Sequence, residues 1–178
     1  MEDDPSTFST SSSLLAMLLT LLRHAKAEPG SSDQDDWDRA LEPKGHRDAQ
    51  EIARRLRDRG LVPNVMISSP AVRAMQTARA FAHTFGISNV ISDERLYLAD
   101  PKVLLEVVRE RGGKTEHLMI VGHNPGITEF GDKLSAERGL DNMPTCSAYT
   151  IAFDLKDWSA LDWRSGVDAE LEYAGRSV

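Results

Sequence analysis

Three short apolar runs, each breaking abruptly into polar residues, constrain the fold of this chain more than any other feature of its sequence. The first, LLAMLLTLL at residues 14–22, ends in Arg23-His24. The second, VMIS at 65–68, leads into Ser69-Pro70-Ala71-Val72-Arg73. The third, HLMIV at 117–121, leads into Gly122-His123-Asn124-Pro125-Gly126. None alternates apolar with polar residues, so each reads as a strand covered on both faces, as in a parallel sheet flanked by helices.

The segments between them supply those helices. Ala49, Ile52, Ala53 and Leu56 recur at helical spacing within 43–60, with Gly60 as the stop. A second helix is expected over 70–85, with Ala71, Ala74, Ala78 and Phe81 inward, and a third over 101–111, with Val103, Leu104, Val107 and Val108 apolar. A fourth follows at 125–134. Residues 90–91 suit a further short strand, 147–155 and 169–173 late strands, and 30–37 a polar loop. Alternating strands and helices predict an α/β fold with a mostly parallel sheet and helices on both faces.

At 178 residues the chain has the size of one domain. The Ser/Thr-rich, acidic residues 1–13 read as a disordered tail, and 14–178 as a single domain. The apolar run at 14–22 is too short to span a bilayer. Its acidic lead and the lack of a small-residue cleavage site argue against a secretory signal. With 21 basic and 28 acidic residues the net charge is −7, and no basic stripe marks a nucleic-acid binder. A polyanion is left only a local basic pocket. Cys146 is the sole cysteine, so no internal disulfide or cysteine metal motif exists, and a reducing cytoplasm is the expected location.

In an open parallel sheet the three polar segments emerge on one edge, where such folds bind ligands. Ser69 and Asn124 read as N-caps, with Pro70 and Pro125 in the first helical turns, and helix N-termini favour anions. The edge then gathers Arg23, Arg73, His24 and His123. Guanidinium pairs suit a phosphoryl group, one histidine nitrogen can attack phosphorus, and the other can steady the charge on its oxygens. Alone, Arg23-His24 after a strand is weak evidence, the Ser68–Arg73 segment reads as a capped helix with an exposed arginine, and Gly122–Pro125 as a turn. Their coincidence at equivalent strand ends is what indicates a site.

LLRHAKAE, SSPAVRAMQTA and VGHNPG resemble the three signatures of the histidine phosphatase superfamily, the phosphoglycerate mutase-like fold. Alanine after the histidine, the short length, the segment DWDRALEPKG and Pro144-Thr145 resemble its SixA-type phosphohistidine phosphatases. The resemblance, from about Leu18 to Phe153, implies a three-layer α/β/α sandwich around a mixed sheet with one antiparallel strand. It implies transient phosphorylation of His24, with Arg23, Arg73 and His123 lining the phosphate pocket. Asn124, next to His123 at the start of its helix, is expected to contact the substrate as well. No metal or organic cofactor is implied.

One position departs from the larger family members. Their leaving-group acid is matched here by Leu98, which directs the expectation towards phosphoramidates, whose leaving group accepts a proton readily. Glu94, Asp100, Asp36 and Asp38 are the alternative acids. Lys26 either touches an acidic substrate or points into solvent. His46, His83 and His117 read as solvated, as does the RRLRDR face at 54–59. A zinc site on His24 and His123 is disfavoured by the flanking arginines.

The expected function is therefore a phosphatase acting on phosphohistidine proteins such as histidine-phosphotransfer domains. The alternatives are a phosphatase of small phosphate esters, such as a sugar phosphate or nucleotide, and a non-catalytic phosphate-binding module. The expected partner is a phosphorylated protein or small phosphorylated molecule, with no nucleic acid and no membrane.

Overall fold

A computed structural model describes residues 16–176 of the chain. The expected tail at 1–13 and the first two residues of the expected 14–22 strand lie outside the described residues. The elements run β1 (Met17–Arg23), α1 (Pro43–Asp58), β2 (Val65–Ser68), α2 (Val72–Phe85), β3 (Ile91–Ser92), α3 (Pro101–Arg111), β4 (His117–Gly122), α4 (Gly126–Leu134), β5 (Ala148–Phe153) and β6 (Gly166–Glu172). They form one six-stranded sheet in the order β3-β2-β4-β1-β5-β6. All pairings are parallel except those of β5, which runs against both β1 and β6. This is the mixed sheet with one antiparallel strand that the sequence resemblance implies.

Strand alternation explains the three layers. On β4, Leu118 and Ile120 face a core shared with Leu104, Val107 and Val108 of α3 and Ile127 and Phe130 of α4. Met119 and Val121 face the opposite core, with Ile52 and Leu56 of α1 and Ala74, Ala78 and Phe81 of α2. Both faces of the central strands are thus buried, which is why their sequences lack polar alternation. β6 begins earlier than the expected 169, because Val167 and Asp168 of this edge strand are exposed and carry no apolar pattern.

Polar groups correct the sequence reading in three places. His117 is buried, not solvated, and its Nε2 lies 2.8 Å from the Thr20 hydroxyl, itself 2.9 Å from that of Thr150. Burial lowers its pKa to about 4. Arg55 and Arg59 of the supposedly solvated 54–59 face reach across to β6, where they pair with Glu172 and Glu170. Ser69 and Asn124 are not N-caps, because α2 starts after Ala71 and α4 after Pro125.

Candidate active site

Register brings the three polar segments to one edge. Arg23 lies opposite Gly122 across the β1–β4 pair, and Ser68 opposite Val121 across the β2–β4 pair. The main chain continues the ladder past the strands, with His24 N–H donating to Gly122 O at 3.1 Å and Ser69 N–H to Val121 O at 3.0 Å. Because β5 is antiparallel, its entry also sits here. Arg23 N–H donates to Ser147 O at 3.0 Å, and Cys146 N–H to His24 O at 3.1 Å.

His24, Arg73 and His123 form the centre. Nδ1 of His24 lies 2.8 Å from the Ala25 carbonyl. A carbonyl only accepts, so Nδ1 carries the proton and Nε2 of the neutral ring keeps its lone pair. That Nε2 faces Arg73 Nε at 3.4 Å. Arg73 Nη2 is 3.4 Å from His123 Nδ1, and the two imidazoles sit 5.2 Å apart. Burial, followed by the charges of Arg73, Arg23 and Arg39, lowers the His24 pKa to about 4, against the opposing pull of the Ala25 hydrogen bond. Burial, His24 and Arg73 lower that of His123 to about 3. Both rings are therefore neutral at pH 7.

Arg23 completes the basic set. Its Nη1 donates to the Met143 carbonyl at 2.7 Å, and its buried Nε has no partner among the described residues. Desolvation lowers its pKa. An N–H held dry without an acceptor is costly unless an anion meets it. Asn124 directs its amide elsewhere, with Nδ2 donating to Asn142 Oδ1 and Met143 O and Oδ1 accepting from Thr128. It fastens the carbonyl that also holds Arg23.

The other singled-out residues divide clearly. Glu94 and Asp38 are exposed, and Asp100 caps α3 by accepting from Val103 N–H at 3.0 Å. Lys26 pairs with Glu42 at 3.2 Å on the surface. Leu98 is 56% exposed at φ +48°, a left-handed conformation leucine rarely takes. Asp36 alone of the four acids reaches the centre, accepting from Arg73 Nη2 at 3.0 Å and from Tyr97 Oη at 2.5 Å. Tyr97, Arg39 and Arg73 hold its carboxyl well below the usual carboxylate range, so it is an acceptor and no proton donor at neutral pH.

Four contributors escaped the sequence reading. Ser69 Oγ lies 2.8 Å from His123 Nε2. Thr77 Oγ1 accepts from Ala25 N–H at 3.0 Å and donates to Arg73 O at 2.7 Å, tying the first and second segments together. Tyr97 packs on His123 with ring centroids 5.4 Å apart, and Arg39 holds Asp36 Oδ1 at 2.8 Å. Ser69 and Thr77 lie within SSPAVRAMQTA, and that adjacency to Arg73 was the available signal. Among the described residues, no group of three or more His, Cys, Asp or Glu is placed to hold a metal ion. No helix among them is long and apolar enough to cross a membrane.

Residues 19–97 match the family model of the histidine phosphatase superfamily (branch 1). An uncharacterized protein of Mycobacterium tuberculosis is 33% identical over 122 residues, covering 67% of this chain and 73% of that protein. The crystal structure of SixA from Agrobacterium tumefaciens, a candidate phosphohistidine phosphatase, superposes with a TM-score of 0.73 at 28% identity, covering 86% of this chain and 97% of that one. A mycobacterial glucosyl-3-phosphoglycerate phosphatase shares the fold, with a TM-score of 0.61 at 18% identity over 89% of this chain and 98% of that one. Motif, register and fold agree, and the chain belongs to the histidine phosphatase superfamily.

Proposed function

We propose that this protein is a phosphatase that passes the phosphoryl group of its substrate to Nε2 of His24 and then to water, with phosphohistidine on a protein as its preferred substrate. The observation that carries the reading is the His24 ring, whose Nδ1 is tied to Ala25 O while its unprotonated Nε2 stands 3.4 Å from Arg73 Nε. An attacking lone pair and an oxygen-gripping edge in one place are what phosphoryl transfer requires.

In the first half-reaction, Nε2 forms a bond to phosphorus as the substrate's P–N bond breaks. The bonding pair leaves with the substrate imidazole, which takes a proton from solvent. In the second, water attacks phosphorus and the P–Nε2 bond breaks. Nε2 recovers its lone pair, inorganic phosphate departs, and the proton lost by water passes to solvent. Arg23 and Arg73 hold the phosphoryl oxygens, and His123 lies beside Arg73 to share the charge that builds on them. Leu98, where larger relatives place an acid, carries no proton. An imidazole leaving group can take its proton from solvent at its other ring nitrogen, a route that an alkoxide lacks.

A substrate panel tests this. It contains a phosphorylated histidine-phosphotransfer domain, phosphoramidate, an aryl phosphate, a sugar phosphate and a nucleotide, each run with and without a chelator. The expected order is phosphohistidine and phosphoramidate first, aryl phosphate next and alkyl phosphates last, unchanged by chelation. Efficient turnover of the sugar phosphate would move the assignment to small esters. Retained activity in His24→Ala would remove His24 as nucleophile. Phosphate binding without any turnover would make the protein a binding module.

A further inference from the structure

A guanidinium has two usable edges, one formed by Nε and its neighbouring Nη, the other by the two Nη groups. In Arg73 the first edge faces the histidines, with Nε 3.4 Å from His24 Nε2 and Nη2 3.4 Å from His123 Nδ1. The second is taken entirely by one residue. Arg73 Nη1 donates to the main-chain oxygen of Asp36 at 2.6 Å, and Nη2 to its carboxylate Oδ2 at 3.0 Å. The Arg73 side chain is 3% exposed, so it has little freedom to exchange these partners for water.

Asp36 is in turn held from two sides. Its Oδ2 accepts from the Tyr97 hydroxyl at 2.5 Å and its Oδ1 from Arg39 Nη1 at 2.8 Å, while Arg39 Nε donates to Glu28 O at 2.9 Å. The Tyr97 ring is wedged between Trp37, at 4.7 Å, and His123, at 5.4 Å. The loop between β1 and α1 and the turn before α3 therefore meet on the outer edge of one arginine.

We propose that Asp36, braced by Tyr97 and Arg39, is a positioning residue that clamps the outer edge of Arg73 and keeps its inner edge turned to the phosphoryl group. The inference rests on the reading that Arg73 grips that group. Its physical basis is preorganisation: a guanidinium already aimed at the transition-state oxygens needs no reorientation when charge develops. The rival role for the same carboxylate has the opposite sign. As a competing anion on Arg73 it would hinder phosphate, and its removal would help.

The experiment measures orthovanadate affinity together with kcat and KM for phosphoramidate in Asp36→Ala, Asp36→Glu, Tyr97→Phe, Arg73→Ala and the Asp36→Ala/Arg73→Ala double variant. Asp36→Ala is expected to bind vanadate about tenfold more weakly and to lose about 10- to 100-fold in kcat/KM, mostly in kcat, the size of a misaimed catalytic group. Tyr97→Phe keeps the ring wedge and should lose a smaller amount in the same direction, and Asp36→Glu should recover part of the loss. Added to Arg73→Ala, the Asp36 substitution should change nothing further, because its effect passes through that arginine. Tighter or unchanged vanadate binding in Asp36→Ala would overturn the proposal, as would an undiminished effect in the double variant. Wild-type vanadate affinity in Arg73→Ala would instead overturn the phosphate-site reading beneath it.

Discussion

Acidification tests the state of His24, the proposed nucleophile, directly. An ordinary histidine is half protonated near pH 6.5, whereas His24 is held unprotonated down to about pH 4, first by burial and then by Arg73, Arg23 and Arg39. At pH 5 the difference is about 90% unprotonated ring against about 3%, close to a thirtyfold change in available nucleophile. Nitrogen-15 NMR of the imidazoles, assigned with His24→Gln, reads this without substrate. His24 should stay neutral through pH 5 with Nδ1 as the protonated nitrogen, and Arg73→Ala should raise its pKa by removing a neighbouring positive charge. kcat/KM, which reports the free enzyme, should show no loss from His24 protonation until the pH nears 4. Titration of His24 between pH 6 and 7, or a ring protonated at Nε2 instead, would refute the mechanism.

Burial of His117 also sets a stability limit in acid. Its pKa is lowered to about 4, so between about pH 6.5 and 4 the unfolded chain binds a proton that the folded chain refuses, and stability falls as the pH drops. The shift corresponds to roughly 3 kcal/mol across that window, and His117→Gln should flatten this part of the denaturant-melting profile against pH. Thr77→Val keeps the shape but leaves the buried Ala25 N–H without an acceptor, a cost of about 1–3 kcal/mol. Differential scanning calorimetry should show a fall of several degrees, and an unchanged midpoint would deny Thr77 its linking role. Amide substitutions at Glu94, Asp100 and Asp38 should change phosphoramidate turnover only modestly. A loss of about a hundredfold in any of them would identify a general acid.

Much of this protein follows from local pattern. Apolar runs such as HLMIV must be covered on both faces, and that requirement alone leads to a parallel sheet between helix layers. Once β1, β2 and β4 are parallel neighbours, their ends share an edge, so the meeting of Arg23-His24, Arg73 and His123 was legible in the sequence. The exposed edge strand β6 was only partly legible, because a strand with one half-wet face carries a weak pattern.

What tertiary structure decided is which atom meets which. His24 shows Nε2 and hides Nδ1 because the chain turns the Ala25 carbonyl back on its own ring. Ser69 looked like a cap, but it faces His123 once α2 begins beyond Ala71. Asp36 and Tyr97 are far apart in sequence, and only two loops folding over the same arginine bring them together. Loop paths depend on packing against the finished sheet, and a partner's identity cannot be read from residues that touch it only there. Strand ends are set by short-range periodicity and hydrogen-bond register, and so the sequence alone determines which polar segments share an edge. The aim of each side chain is set by long-range contacts, which exist only in the folded protein.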